Sequence, residues 1–166
     1  MVYYYKLDGI AKSKLDMAVG KMEGLARKEL KLDDTEILTR TLRPEDVGLT
    51  GEWTFTTTAT GWQTLINNQT ISDNRYIAIT GVFYPQSAAQ GITQLELTRM
   101  GQVVRYWQIQ GANFTENLAV YFDDPIIVKQ NTPITVKGYV ITAGTDKIQL
   151  LGATTEKVGL LVQKGL

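Results

Sequence analysis

From Val47 onward the chain is a succession of short runs rich in β-branched and aromatic residues, each closed by a turn signal. No run there is long enough to place a second helix between strands, which excludes βαβ crossovers and with them a parallel sheet. Strands are predicted near Glu52–Thr58, Gln63–Ile66, Tyr76–Tyr84, Ile92–Thr98, Val103–Ile109, Leu118–Phe122, Ile126–Lys129, Ile134–Thr142, Lys147–Leu151 and Val158–Val162. Asn67-Asn68, Asp73-Asn74, Asp123-Asp124-Pro125 and Asn131-Thr132-Pro133 read as separators, and Met100-Gly101 and Ala143-Gly144-Thr145-Asp146 as hairpin turns. Eight to ten antiparallel strands in about 120 residues predict a β-sandwich or barrel, with a jelly roll the leading form. In Ile134–Ile141, Ile134, Val136, Gly138 and Val140 fall on one face. Val103–Gln110 is amphipathic on neither face, so both of its sides are expected to be covered.

The N-terminal part is built differently. Residues 1–46 carry nine basic and nine acidic side chains, against eight of each in the other 120 residues, whereas 18 of 21 threonines follow residue 46. The expected division is a charged arm over 1–46 and an antiparallel β-sandwich over 47–166. Within the arm, Ala11, Leu15, Ala18, Met22, Leu25 and Leu32 form a stripe at helical spacing, predicting one amphipathic α-helix over about 8–32. Asp33-Asp34-Thr35-Glu36 reads as a cap or turn. Two readings of the stripe stay open: packing across the β-domain, or contact with a neighbouring subunit. Gly20 and Gly24, four apart, weaken the helix and would let another backbone approach. Tyr3-Tyr4-Tyr5 is an apolar liability if exposed and is expected to be buried against another subunit. Tyr3, Tyr4, Tyr5, Leu15, Ala18, Met22, Leu25 and Leu32 are thus the candidate subunit-interface residues.

Composition excludes much chemistry. The chain has neither cysteine nor histidine, which removes disulfides, thiolate nucleophiles, Cys/His zinc sites and imidazole-dependent triads. Seventeen basic residues balance seventeen acidic ones, so no net field draws nucleic acid or an anionic membrane. No stretch approaches the roughly 20 apolar residues of a membrane span, and no secretion signal is expected at Met1–Lys6. Asp123, Asp124 and Asp146 are the best candidates for a metal such as calcium, but no D-x-D-x-D-G loop accompanies them and an ordinary turn explains the first two. Glu52, Glu96, Glu116 and Glu156 offer no distinctive acid–base pair. No cofactor, metal or catalytic residue is predicted, and a non-enzymatic role is expected. Trp53, Trp62, Trp107 and the tyrosines at 76, 84, 106, 121 and 139 are either core and interface anchors or a sugar-stacking platform.

The stretches Gln102–Gln108, Tyr121–Val128, Pro133–Gly138 and Asp146–Gly152, behind a charged arm, resemble jelly-roll capsid or capsid-decoration proteins of viruses and phages. The resemblance implies a structural virion protein, assembled in the host cytoplasm, whose partners are copies of itself and other capsid proteins. It carries over no functional residue. Near-zero net charge suits association independently. The rival expectations are a carbohydrate- or receptor-binding β-sandwich module and a tail-tube or fibre subunit.

Overall fold

The computed structural model describes residues 9–85, 90–110, 112 and 118–159. Tyr3, Tyr4, Tyr5, Glu116 and Leu160–Val162 lie outside them. The elements are α1 (Gly9–Leu30), β1 (Ile37–Thr41), a 3-10 helix (Pro44–Val47), β2 (Thr54–Thr57), β3 (Gly61–Thr70), β4 (Arg75–Phe83), β5 (Ile92–Arg99), β6 (Gln102–Gln108), β7 (Ala119–Val128), β8 (Pro133–Val140), β9 (Gly144–Lys147) and β10 (Gln149–Lys157). The chain is mainly β, in antiparallel sheets, with one N-terminal helix.

The pairing is nested. β1 lies against β10, β2 against β9, β3 against β8, β4 against β7 and β5 against β6. This is one long antiparallel ribbon folded back over itself, and the extra pairs β10–β4 and β5–β8 close it into two four-stranded sheets. Their orders are β1-β10-β4-β7 and β3-β8-β5-β6, with β2-β9 as a short ribbon beside them. Wrapping a paired ribbon in this way produces the jelly-roll form of sandwich. At its tip, Met100 and Gly101 take φ of 52° and 77°, the left-handed pair that a two-residue hairpin turn requires.

One core fills the space between the sheets. Ile77, Ile79, Phe122, Ile126 and Leu150 come from the first sheet, and Ile92, Leu95, Leu97, Trp107, Ile134 and Val136 from the second. The alternation read for Ile134–Val140 is the observed one, with every second residue buried. α1 lies outside this core, on the outer face of the first sheet. Ala18, Met22 and Ala26 pack against Tyr76, Ala78 and Ala153, where two small sheet residues let the helix approach. Burying Met22 completely contributes roughly 2 kcal/mol.

Several local expectations change. The sandwich begins at Ile37, because β1 pairs with β10 along its whole length, so the charge step at residue 46 does not mark where the sheets start. Leu118–Phe122 and Ile126–Lys129 are one strand. Asp123-Asp124-Pro125 is a bulge within β7, where the register against β4 jumps from Gly81↔Tyr121 to Ile79↔Ile126. β7 is an edge strand, the place where a proline without an N–H is tolerated. Lys147–Leu151 spans two strands, and the Gly144–Asp146 turn expectation falls on β9, paired with β2. Val158 and Gly159 form a turn. β6 is not covered on both sides: as the other sheet's edge strand it leaves Val103, Val104 and Tyr106 exposed and buries Trp107.

Candidate interaction faces

The two sheets differ in what lies on their outer faces. The first is capped by α1. The second, β3-β8-β5-β6, carries an aromatic cluster in the open. Strand alternation sends Trp62 of β3 and Tyr139 of β8 outward as direct cross-strand partners, followed in register by Gln94 of β5 and Gln108 of β6. In the next row stand Thr64, Lys137, Glu96 and Tyr106. Trp62 meets Tyr139 edge-on at 5.4 Å between centroids and Tyr106 at 6.2 Å. Exposure is 42% for Trp62, 59% for Tyr106 and 38% for Tyr139, so the three rings hold one another while leaving much of their surface in water. Glu96 accepts a hydrogen bond from the Tyr106 hydroxyl, raising that phenol above its ordinary pKa, and sits 3.9 Å from Lys137.

The remaining aromatics named from the sequence are spent elsewhere. Tyr76 lies under α1 and its hydroxyl donates to Glu29 at 2.8 Å. Tyr84 is buried and donates to Asp146 at 2.9 Å. Burial, reinforced by the adjoining carboxylate, raises both phenols. Trp107 packs edge-on against Phe122 at 4.9 Å, with the Arg105 guanidinium over the same ring. Trp53 lines a cavity of about 610 Å³ with Arg43, Glu52, Phe83, Lys147 and Gln149. Tyr121 is half-buried in β7.

The three metal candidates do not share a site. Asp146 is fully buried in β9, where one carboxylate oxygen accepts from Tyr84 and from the Gly91 amide. Asp123 and Asp124 stand exposed on the β7 bulge. Among the described residues no group of three potential metal ligands comes together.

Four charged residues, of which the sequence singles out only Glu156, converge instead. Arg40, Asp46, Arg75 and Glu156 form a buried network where β1, β4, β10 and the 3-10 helix meet. Arg40 donates to both oxygens of Asp46 at 2.7 Å and to Glu156 at 3.0 Å, while Arg75 donates to Glu156 at 2.7 Å. Thr154 adds a hydroxyl to Asp46 at 2.8 Å. Burial alone would raise Asp46, but the Arg40 guanidinium holds it below the usual carboxylate range. Two cations and two anions satisfy one another here, so the cluster ties the β1–β2 connection to the sheet, and Arg40 also lines the cavity beside Trp53.

Of the helical interface candidates, Ala18 and Met22 are buried against the chain's own sheet, and Leu15 and Leu25 pack partly against the same cluster. Leu32 lies past the end of α1, half-buried. Gly20 and Gly24 are exposed, and a side chain at either would meet nothing within 4 Å among the described residues. Beside Gly24 runs a groove of about 600 Å³ between α1, the β5–β6 turn and the end of β7. Lys21, Lys28, Arg99 and Lys129 rim it and Leu25, Met100 and Ile127 form its floor. Comparison with family models, curated proteins and solved structures finds no match to this chain.

Proposed function

We propose that this chain is a structural subunit that assembles with copies of itself, of the virus capsid or capsid-decoration type, and that it has no catalytic role. The observation that carries this reading is the uneven dressing of the sandwich. One outer face is sealed by the chain's own helix, while the opposite sheet carries Trp62, Tyr106 and Tyr139 with no covering element among the described residues. Exposed aromatics concentrated on a rigid sheet are typical of a protein–protein contact. A balanced charge of seventeen against seventeen adds no long-range repulsion between copies.

The test is the solution mass of the full chain by light scattering across concentration, with electron microscopy of any large species. A closed oligomer or shell that Trp62→Ser and Tyr106→Ser dissolve into folded monomers supports the reading. Folded monomers at millimolar wild-type chain would overturn it.

A second reading, a saccharide-binding module, draws on the same cluster. Gln94, Gln108, Glu96 and Lys137 surround the rings with hydrogen-bonding groups, and a sugar offers both an apolar C–H face and hydroxyls. Glycan binding by a monomer, lost in Trp62→Ser, would replace assembly as the function.

A further inference from the structure

We propose that the cavity beside Trp53, where the β1–β2 connection meets the end of β4 and the start of β10, is a binding site for a small aromatic carboxylate. The ring of the ligand packs on Trp53 and Phe83, and its carboxylate meets Arg43, Lys147 and the Gln149 amide. This site is separate from the open cluster around Trp62 and does not depend on how copies assemble.

The walls are held from several directions. Phe83 and Gln149 are direct cross-strand partners, and their neighbours Val82 and Leu150 point into the core between the sheets. Strand alternation therefore turns Phe83 and Gln149 to the other side, where both line the cavity. Trp53 packs partly against the core, and its carbonyl accepts from the Ile148 amide at 3.2 Å, which fixes it to the β9–β10 junction. The Arg43 amide donates to Asp46 at 2.9 Å, so the buried charge network sets the backbone from which the Arg43 side chain extends. A volume of about 610 Å³ with aromatic walls and a few converging polar groups is of the kind that encloses a small organic molecule.

The polar groups in this cavity are unspent. Gln149 is only 9% exposed, yet its side-chain amide has no hydrogen-bond partner among the described residues. A buried amide left without a partner is destabilising, and one that lines a cavity recovers that loss when a polar group enters. Arg43 and Lys147 add two cations with no ion pair among the described residues. Arg40 also reaches the lining, but its charge is already taken by Asp46 and Glu156. Glu52 is the sole carboxylate among the described lining residues, and it accepts from the Thr54 hydroxyl at 3.3 Å. Two free cations against one carboxylate favour an anion. A guanidinium, an ammonium and an amide N–H together match the oxygens of a carboxylate. A bare inorganic anion would leave Trp53 and Phe83 without an apolar partner, whereas an aromatic ring satisfies both.

The experiment is calorimetric titration of the full chain with naphthoate, expected to bind one molecule per chain. Naphthalenemethanol, which keeps the ring without the charge, and inorganic phosphate, which keeps the charge without the ring, should each bind about tenfold more weakly or worse. Arg43→Met with Lys147→Met alters exposed side chains, should stay folded by circular dichroism, and should weaken naphthoate about tenfold. Gln149→Leu, which keeps the bulk and removes the amide, should weaken it several-fold, and Glu52→Gln should tighten it. No saturable heat at millimolar naphthoate would overturn the proposal. Equal binding of naphthalenemethanol would do so too, by showing an apolar hollow that makes no use of its charges, and phosphate binding as tightly as naphthoate would overturn the aromatic assignment. Naphthoate binding that survives Arg43→Met/Lys147→Met but is lost in Trp62→Ser would place the probe on the open cluster and overturn the proposal as well.

Discussion

Arg40 and Asp46 meet as two matched forks, each terminal guanidinium nitrogen donating to one carboxylate oxygen at 2.7 Å, with side-chain exposures of 10% and 2%. The pair closes the connection that carries the chain from β1 into the 3-10 helix. Removing one charge strands the other in a site with little water. Arg40→Met and Asp46→Asn are each expected to cost about 3–5 kcal/mol, measured by urea unfolding, with the double variant costing less than the sum.

The same carboxylate sets an acid limit. Asp46 is held below its ordinary pKa in the folded chain, so its contribution to stability is complete above the usual carboxylate range and is lost as pH falls through the lowered value. Urea midpoints should therefore decline from about pH 5 to pH 3, and the decline should be shallower in Asp46→Asn. An unchanged slope in that variant would place the acid sensitivity elsewhere.

The exposed and buried tryptophans should respond to very different degrees. Trp62 is 42% exposed and Trp107 is 9%. Trp62→Ala is expected to lower stability by about 1 kcal/mol, the worth of two edge-on ring contacts, and to remove most acrylamide-accessible fluorescence. Trp107→Ala opens a hole beside Phe122 and should cost about 3–5 kcal/mol.

Two kinds of glycine can be told apart by alanine. A Cβ at Gly152 would collide with the Ala78 carbonyl oxygen across the β10–β4 bulge, so Gly152→Ala should fail to give a folded protein. Gly20→Ala meets nothing and should raise stability by about 1 kcal/mol in thermal unfolding.

How far the sequence speaks depends on whether a residue's surroundings are local. The single helix, the alternation of Ile134–Val140 and the Met100-Gly101 turn follow from spacing and backbone preference alone, and the structure has them. Asp123-Asp124-Pro125 has the composition of a turn, but β4 is buried on both faces and holds its edge partner in register on either side of the interruption. Arg40 and Glu156 look like ordinary surface charges until β1 and β10 are paired, which brings them together from 116 positions apart. The aromatic cluster was legible as a list of eight rings. Which three stand in the open depended on strand parity and on which sheet the helix covers.

The nested ladder also fixes a schedule for the chain's birth. A ribosome releases α1 and β1 first, yet the surface that receives them includes Ala153 of β10, among the last described residues to emerge. Contacts such as Thr39 with Thr155, 116 positions apart, close late and slowly, as long-range β pairing does. For most of synthesis the apolar stripe of α1 therefore has no seat. A chain finished in this order exposes the stripe of this helix before its seat exists, so orderly packing has to wait until the last strand locks the first one down.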